Sequence, residues 1–270
     1  MKVLCEIDTA RVAYRKGDYL TAERLFRPLA EQGDATAQYH LGLMLRRGQG
    51  VQPNLAEAAI WYRKAAEQGR GAAQYALGLM YQGGLGVPHD YAEAFNWFQK
   101  AAANNRAPAQ YSLGLLYRHG RGVTQNNEAA AKWYRKAAEQ GWAAAQFALG
   151  LLYSRGAGVP RAFEVAANWY QKAADQGNVP AMGCLSLAYY QGRGVPRDLV
   201  QAYKWSVLAS RTDLGVESPA NRTSNLLIKE MTVEQIEEGK KLAQDWLTIH
   251  EAAKPNTPPS LPASAVQEQG

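Results

Sequence analysis

By residue type, six side chains of this 270-residue sequence are candidates for covalent or metal chemistry: Cys5, Cys184, His40, His89, His119 and His250. A cysteine beside a histidine can act as a thiolate nucleophile, and His and Cys at short helical or loop spacing hold zinc. Their spacing here supports neither. The histidines lie far apart, with no His-x-x-x-His or Cys-x-x-Cys, and two thiols make neither a disulfide framework nor a four-ligand zinc site. No Gly-x-Ser-x-Gly, Walker loop or strand-borne dinucleotide fingerprint occurs. The expectation is therefore no cofactor, no metal and no enzyme activity.

What remains is recognition chemistry, and its clearest carriers are cations. Residues 37–212 hold 19 basic and 9 acidic residues, net +10, whereas residues 1–36 are neutral and residues 213–270 carry net −4. Arg46, Arg47, Arg118, Arg121, Arg155, Arg161, Arg193 and Arg197, with His119 among them, cluster around one recurring loop. Such an edge suits a protein partner with an acidic patch. A nucleic-acid partner is not expected, because the aromatic residues fall in core register and no helix-turn-helix, RNP or zinc-finger pattern is present. Trp142 stands outside the tryptophan register and reads as an interface anchor. His40, Gln74, Gln110 and Gln146 are further candidates, placed on the helix face away from the core. Cys184 shares a slot with His40, Ala76, Ser112 and Ala148 and reads as a small packed residue.

These residues are positioned by a repeat. Trp61, Trp97, Trp133, Trp169 and Trp205 are 36 residues apart, and Gly42, Gly78, Gly114 and Gly150 keep the same spacing, with Ser186 in the fifth slot. Gly-x-Gly-Val recurs at Gly48, Gly84, Gly120, Gly156 and Gly192. Each unit reads as two helices. Helix A, beginning near Ala37 in the first unit, should stop at Gly48, where glycine accepts the left-handed backbone. Helix B should start at Asn54, Asp90, Asn126 and Asp198, side chains that accept hydrogen bonds from first-turn N–H groups; Ala162 lacks that acceptor, a weakness of about 1 kcal/mol. Helix B should end at Gly69, Asn105, Gly141 or Gly177. Gly42-type positions let helices approach, and Trp61-type residues fill the space between pairs. A single unit cannot bury its apolar face, but stacked units can.

Ala-Gln-x-x-Leu-Gly-x-x-Tyr, then Gly-x-Gly-Val-Pro-x-Asp, then Ala-x-x-Trp-Tyr-x-Lys-Ala-Ala-x-Gln-Gly resembles the Sel1-like repeat, a relative of tetratricopeptide repeats. The shared Ala-x-x-x-Phe/Tyr element appears as Ala58/Tyr62, Ala94/Phe98, Ala130/Tyr134 and Ala166/Tyr170. The resemblance implies an all-α, α/α superhelical solenoid of antiparallel helix pairs. It also implies a scaffold or adaptor that binds a partner protein through its concave face, here with a basic loop edge. Some cysteine-rich relatives imply the alternative, a hydrolase acting on cell-wall or β-lactam substrates; those carry cysteine pairs in each repeat, and this chain does not.

The expected organisation is an N-terminal capping helix pair at 1–36, five repeats at 37–212, capping helices at 213–253 and a disordered proline-rich tail at 254–270. Ser218-Pro219 and the Thr232/Gln235 capping box should open the last two helices. The acidic stretch Glu230, Glu234, Glu237 and Glu238 is a candidate for folding against the basic array. No run approaches the ~18–20 apolar residues of a membrane span. The opening MKVLCEID is too short and polar for a secretory signal, so a cytoplasmic protein is expected, or a periplasmic one if the N-terminus is processed or truncated.

Overall fold

The computed structural model describes the backbone of residues 2–211 and 219–252 and the side chains of 6–211 and 223–250. The Ser218-Pro219 cap, Cys5 and the proline-rich tail lie outside those described side chains. The described residues form fourteen helices and no strand. They are α1 (Lys2–Arg15), α2 (Tyr19–Glu31), α3 (Ala35–Arg47), α4 (Leu55–Glu67), α5 (Gly71–Gly83), α6 (Tyr91–Ala103) and α7 (Ala107–His119). There follow α8 (Asn127–Glu139), α9 (Ala143–Arg155), α10 (Phe163–Ala174), α11 (Val179–Gln191), α12 (Leu199–Ser210), α13 (Pro219–Ile228) and α14 (Val233–Ala252). Two compact units result, Met1–Asn126 and Asn127–Gly270. Within each, helices α1 to α12 pack on neighbours in sequence order, as helix pairs in series, and α13 and α14 both pack on α12. This is the α/α solenoid class.

The helix ends follow local chemistry. Gly48, Gly84, Gly120, Gly156 and Gly192 all take left-handed φ between +63° and +69° as C-caps of the A helices. Asn54, Asp90 and Asp198 accept first-turn amide hydrogen bonds at the B helices. Ala162 takes the same extended backbone with no side-chain bond to give. Asn105 is the one described non-glycine residue at positive φ, tolerated because asparagine pays little for that conformation. The first helix of the N-terminal pair reaches back to Lys2, and Ile7, Ala10 and Ala13 form its buried face.

The close approach expected at Gly42 is made against an aromatic ring. An added Cβ there would lie 2.9 Å from the Tyr62 ring, and at Gly78 and Gly150 it would lie 2.6 Å from Phe98 and Tyr170. The gap is therefore filled by the residue after the register tryptophan, from the same repeat. The register tryptophans also carry a cation: Lys64, Lys100, Lys136 and Lys172 sit 4.1–4.5 Å from the rings of Trp61, Trp97, Trp133 and Trp169. A lysine stem covering indole shields apolar surface while its ammonium stays wet.

The second loop glycine joins one repeat to the previous one. A Cβ on Gly50 would meet the Tyr19 carbonyl oxygen at 2.5 Å, and one on Gly86, Gly122, Gly158 or Gly194 would collide with the first helix-B residue of the preceding repeat, Leu55, Tyr91, Asn127 or Phe163. Only glycine satisfies both the positive φ and this backbone contact.

At the C-terminus, Thr232 and Gln235 make both bonds of the capping box, 3.0 and 3.3 Å. Helix α14 then lays Ala243, Trp246 and Leu247 against Trp205 and Leu208, closing the last apolar face. His250 stacks on Trp246 at 3.7 Å and brings its ring nitrogen within 2.7 Å of the Asp175 carbonyl.

Candidate functional site

The glutamines do not face outward. Gln74, Gln110 and Gln146, with Gln38, are at most 5 % exposed. Gln38, Gln74 and Gln146 donate to the carbonyls of Ala30, Ala66 and Ala138 in the preceding helix, each at 3.1 Å. Gln110 donates to Asn105. Their side-chain oxygens accept from amides 30 residues on: Gln68 to Gln38 at 2.8 Å, Asn104 to Gln74 at 2.9 Å, Gln176 to Gln146 at 2.7 Å. A buried amide with both ends satisfied is structural. The expectation that these residues bind a partner is corrected: they knit consecutive helices. The sequence signal was present, since four repeats keep the same glutamine while a tuned surface would vary it.

His40 also packs inward. Its ring stacks on Phe26 at 4.8 Å and abuts Tyr14 and Tyr39 at 5.4 Å. Burial, followed by the charges of Arg70, Arg11 and Arg15, pulls its pKa down to about 4. The half-buried imidazole is engaged with aromatic neighbours from α1, α2 and α3 rather than standing free on the outer helix face.

The cations sort into two sets. Those on the B helices are engaged: the lysines on tryptophan, and Arg63 and Arg135 as donors to the Tyr81 and Tyr153 hydroxyls. The loop-edge arginines divide: Arg47, Arg121, Arg161, Arg193 and Arg197 each have an aromatic or acidic neighbour, and Arg46, Arg118 and Arg155 have neither among the described residues. Arg46, Arg118, Arg155, Arg161 and Arg193 have no carboxylate in ion-pair range among the described residues. Arg47 donates to the Tyr14 hydroxyl at 3.3 Å. Arg121 lies 5.5 Å from the Tyr91 ring, and Arg161 and Arg193 each lie 5.9 Å from the Phe163 ring. His119 is exposed on the same loop. Arg197 is the exception, held by Glu230 at 2.6 Å. Of the acidic stretch, Glu230 reaches the array and Glu237 pairs with Lys240 on its own helix at 2.8 Å. Trp142 caps α9 by its backbone and is 39 % exposed.

In the second unit, α9, α10 and α11 enclose a groove of about 260 Å³. Leu151, Tyr170, Cys184, Leu187 and Ala188 give it apolar walls, and Arg155 and Arg193 line it with no acidic residue. The Tyr170 hydroxyl donates to Ser154 at 3.0 Å, and burial raises its pKa to about 12. Burial also raises the Cys184 thiol, with Arg155 pulling the other way. The thiol is thus held protonated and is a poor nucleophile. Among the described residues, no three His, Cys, Asp or Glu side chains group as metal ligands, and no helix is long and apolar enough to cross a membrane.

Paired helices in 36-residue steps, closed by left-handed glycines and capped at both ends, define a tetratricopeptide-like repeat protein. The chain belongs to the Sel1 repeat family, whose profile matches residues 35–69, 71–105, 107–142, 143–178 and 181–211. It is similar to a Sel1 repeat protein from Oxalobacter formigenes, at 31 % identity over 94 % of this chain and 99 % of that one, TM-score 0.74. It also matches a protective antigen of uropathogenic Escherichia coli with an SLR fold, at 28 % identity over 95 % of this chain and 72 % of that one, TM-score 0.44. No functionally curated protein matches it.

Proposed function

We propose that this Sel1 repeat protein is a non-catalytic docking scaffold that binds an acidic region of a partner protein through its loop-edge arginines. Proteins with this fold generally serve as protein–protein interaction scaffolds. The observation that carries the finer reading is the contrast between the two sets of cations. Lys64, Lys100, Lys136 and Lys172 lie against indole rings and Lys132 pairs with Glu128, whereas Arg118 and Arg155 have neither a carboxylate in ion-pair range nor a ring against them among the described residues. Unpaired guanidinium groups on preorganised loops favour fast, charge-steered association with carboxylates.

The test is affinity purification with the intact chain and with a variant carrying Arg118→Glu, Arg121→Glu, Arg155→Glu and Arg193→Glu, its helicity checked by circular dichroism. Proteins retained by the parent, lost by the folded variant and released from the parent by salt support the reading. Identical retention by both, or none by either, contradicts it.

A further inference from the structure

We infer that the α9–α10–α11 groove is a specificity site for a partner-protein segment that presents one bulky apolar side chain flanked by carboxylates. The inference rests on the docking reading above and narrows it to one place and one ligand chemistry.

The repeat itself shows how the groove arises. The slot held by Ala188 is filled in the other four repeats by Met44, Met80, Leu116 and Leu152, each at most 2 % exposed. Ala188 withdraws that side chain and lines the groove instead. The same helix departs from the recipe at two neighbouring slots, and a third slot, variable between repeats, holds a thiol. Met182 replaces the bridging glutamine, Cys184 stands opposite Tyr170, and Ser186 replaces glycine and donates to the Ala202 carbonyl at 2.7 Å. Every repeat therefore keeps its core large at this slot except the one bearing the groove.

A vacated core slot is normally a loss of packing. Here two large apolar side chains remain exposed beside it, Phe163 at 38 % and Leu187 at 41 %, so the apolar surface continues from the floor to solvent. The charge around it has one sign. Arg155 and Arg193 line the groove, Arg161 joins Arg193 against Phe163, and no carboxylate neutralises them among the described residues. An apolar floor rimmed by unpaired guanidinium groups is complementary to an apolar anchor with acidic neighbours. Basic or purely polar segments have no matching group, and a bare anion leaves the floor empty.

The experiment uses the full chain and a panel of fluorescein-labelled peptides. Each has four Glu around one variable residue, either Leu, Ile, Phe, Trp or, as the control, Ser. Anisotropy titrations are run with the parent, Ala188→Leu, the pair Arg155→Gln/Arg193→Gln, and the pair Arg118→Gln/Arg121→Gln. The expected result is that at least one apolar peptide binds the parent roughly tenfold more tightly than the Ser peptide. That preference should vanish in Ala188→Leu, which installs a side chain other repeats already accommodate, and all binding should weaken in Arg155→Gln/Arg193→Gln. The Arg118→Gln/Arg121→Gln pair belongs to the docking edge but lies outside the groove, so it should weaken all the peptides alike and leave the apolar-over-Ser preference intact. Thermal melts confirm folding; if Ala188→Leu is unfolded, the peptide preference and the two arginine pairs still decide. Equal binding of apolar and Ser peptides, or no binding by any peptide, overturns the groove. Binding lost only through Arg118 and Arg121 also overturns the groove but leaves the docking reading standing.

Discussion

Replacing either of two glycines in the second unit, Gly177 or Gly194, with alanine separates the two reasons for glycine in this fold. Both are left-handed, at φ +83° and +77°. A Cβ on Gly177 meets nothing within 4 Å, so Gly177→Ala should cost only the left-handed penalty, about 1 kcal/mol. A Cβ on Gly194 would lie 2.6 Å from the Glu164 amide nitrogen and closer still to the Phe163 carbonyl. Both neighbours are backbone, so the loop must lift away from α10. Overpacking of this kind adds roughly 1–3 kcal/mol, for a total of about 3 kcal/mol. Urea unfolding of the full chain, followed by far-ultraviolet circular dichroism and tryptophan fluorescence, compares the two variants within one structural unit. Equal destabilisation would refute the claim that the second loop glycine is fixed by contact with the preceding repeat.

Three further outcomes are expected. His40 has an ordinary pKa near 6.5 when unfolded and about 4 in the fold, so folding disfavours its charge; stability should be full above pH 6.5 and fall between there and pH 4 by up to about 3 kcal/mol. His40→Phe should flatten that part of the urea midpoint-against-pH profile relative to the parent, and an unchanged slope would contradict the burial argument. Gln146→Ala should destabilise the second unit by about 1–3 kcal/mol, because the Ala138 carbonyl and Gln176 amide lose their partner; a neutral result in the same unfolding assay would count against the amide bridge. Ala162→Asp should add about 1 kcal/mol, since the extended backbone at φ −149° already matches that of Asp90 at −153° and only the acceptor is missing; a melting temperature no higher than the parent's would refute it.

Features fixed by local chemistry were legible from residue types. Gly48, Asn105, Asp90 and the Thr232/Gln235 box act within a few residues of themselves, so spacing alone located them. The glutamines were misread because their partners lie 8 and 30 residues away, and a polar residue on an amphipathic helix suggests solvent until its long-range partners are known. Which ring fills the gap at Gly42 was not legible, for a related reason. Trp61 and Tyr62 are adjacent, and only packing shows which of them enters the gap. Of the candidate partner-binding residues, Arg155 and Arg193 come together in one groove, whereas His40 packs into an aromatic cluster. The groove itself was hidden because alanine fills so many slots of every repeat. Ala188 becomes informative only when its four counterparts are seen to be large and buried.

The most direct test of the docking account is site-specific photo-cross-linking in cells of the source organism. A photoreactive side chain is placed in the intact chain at loop positions 85, 121, 157 and 193 in turn, with Ile60, exposed on helix α4, as the control site. The account predicts one partner protein cross-linked from the arginine positions 121 and 193, joined at an acidic segment identified by mass spectrometry, and lost at high salt. No adduct from either position, or the same adducts from position 60, would contradict it.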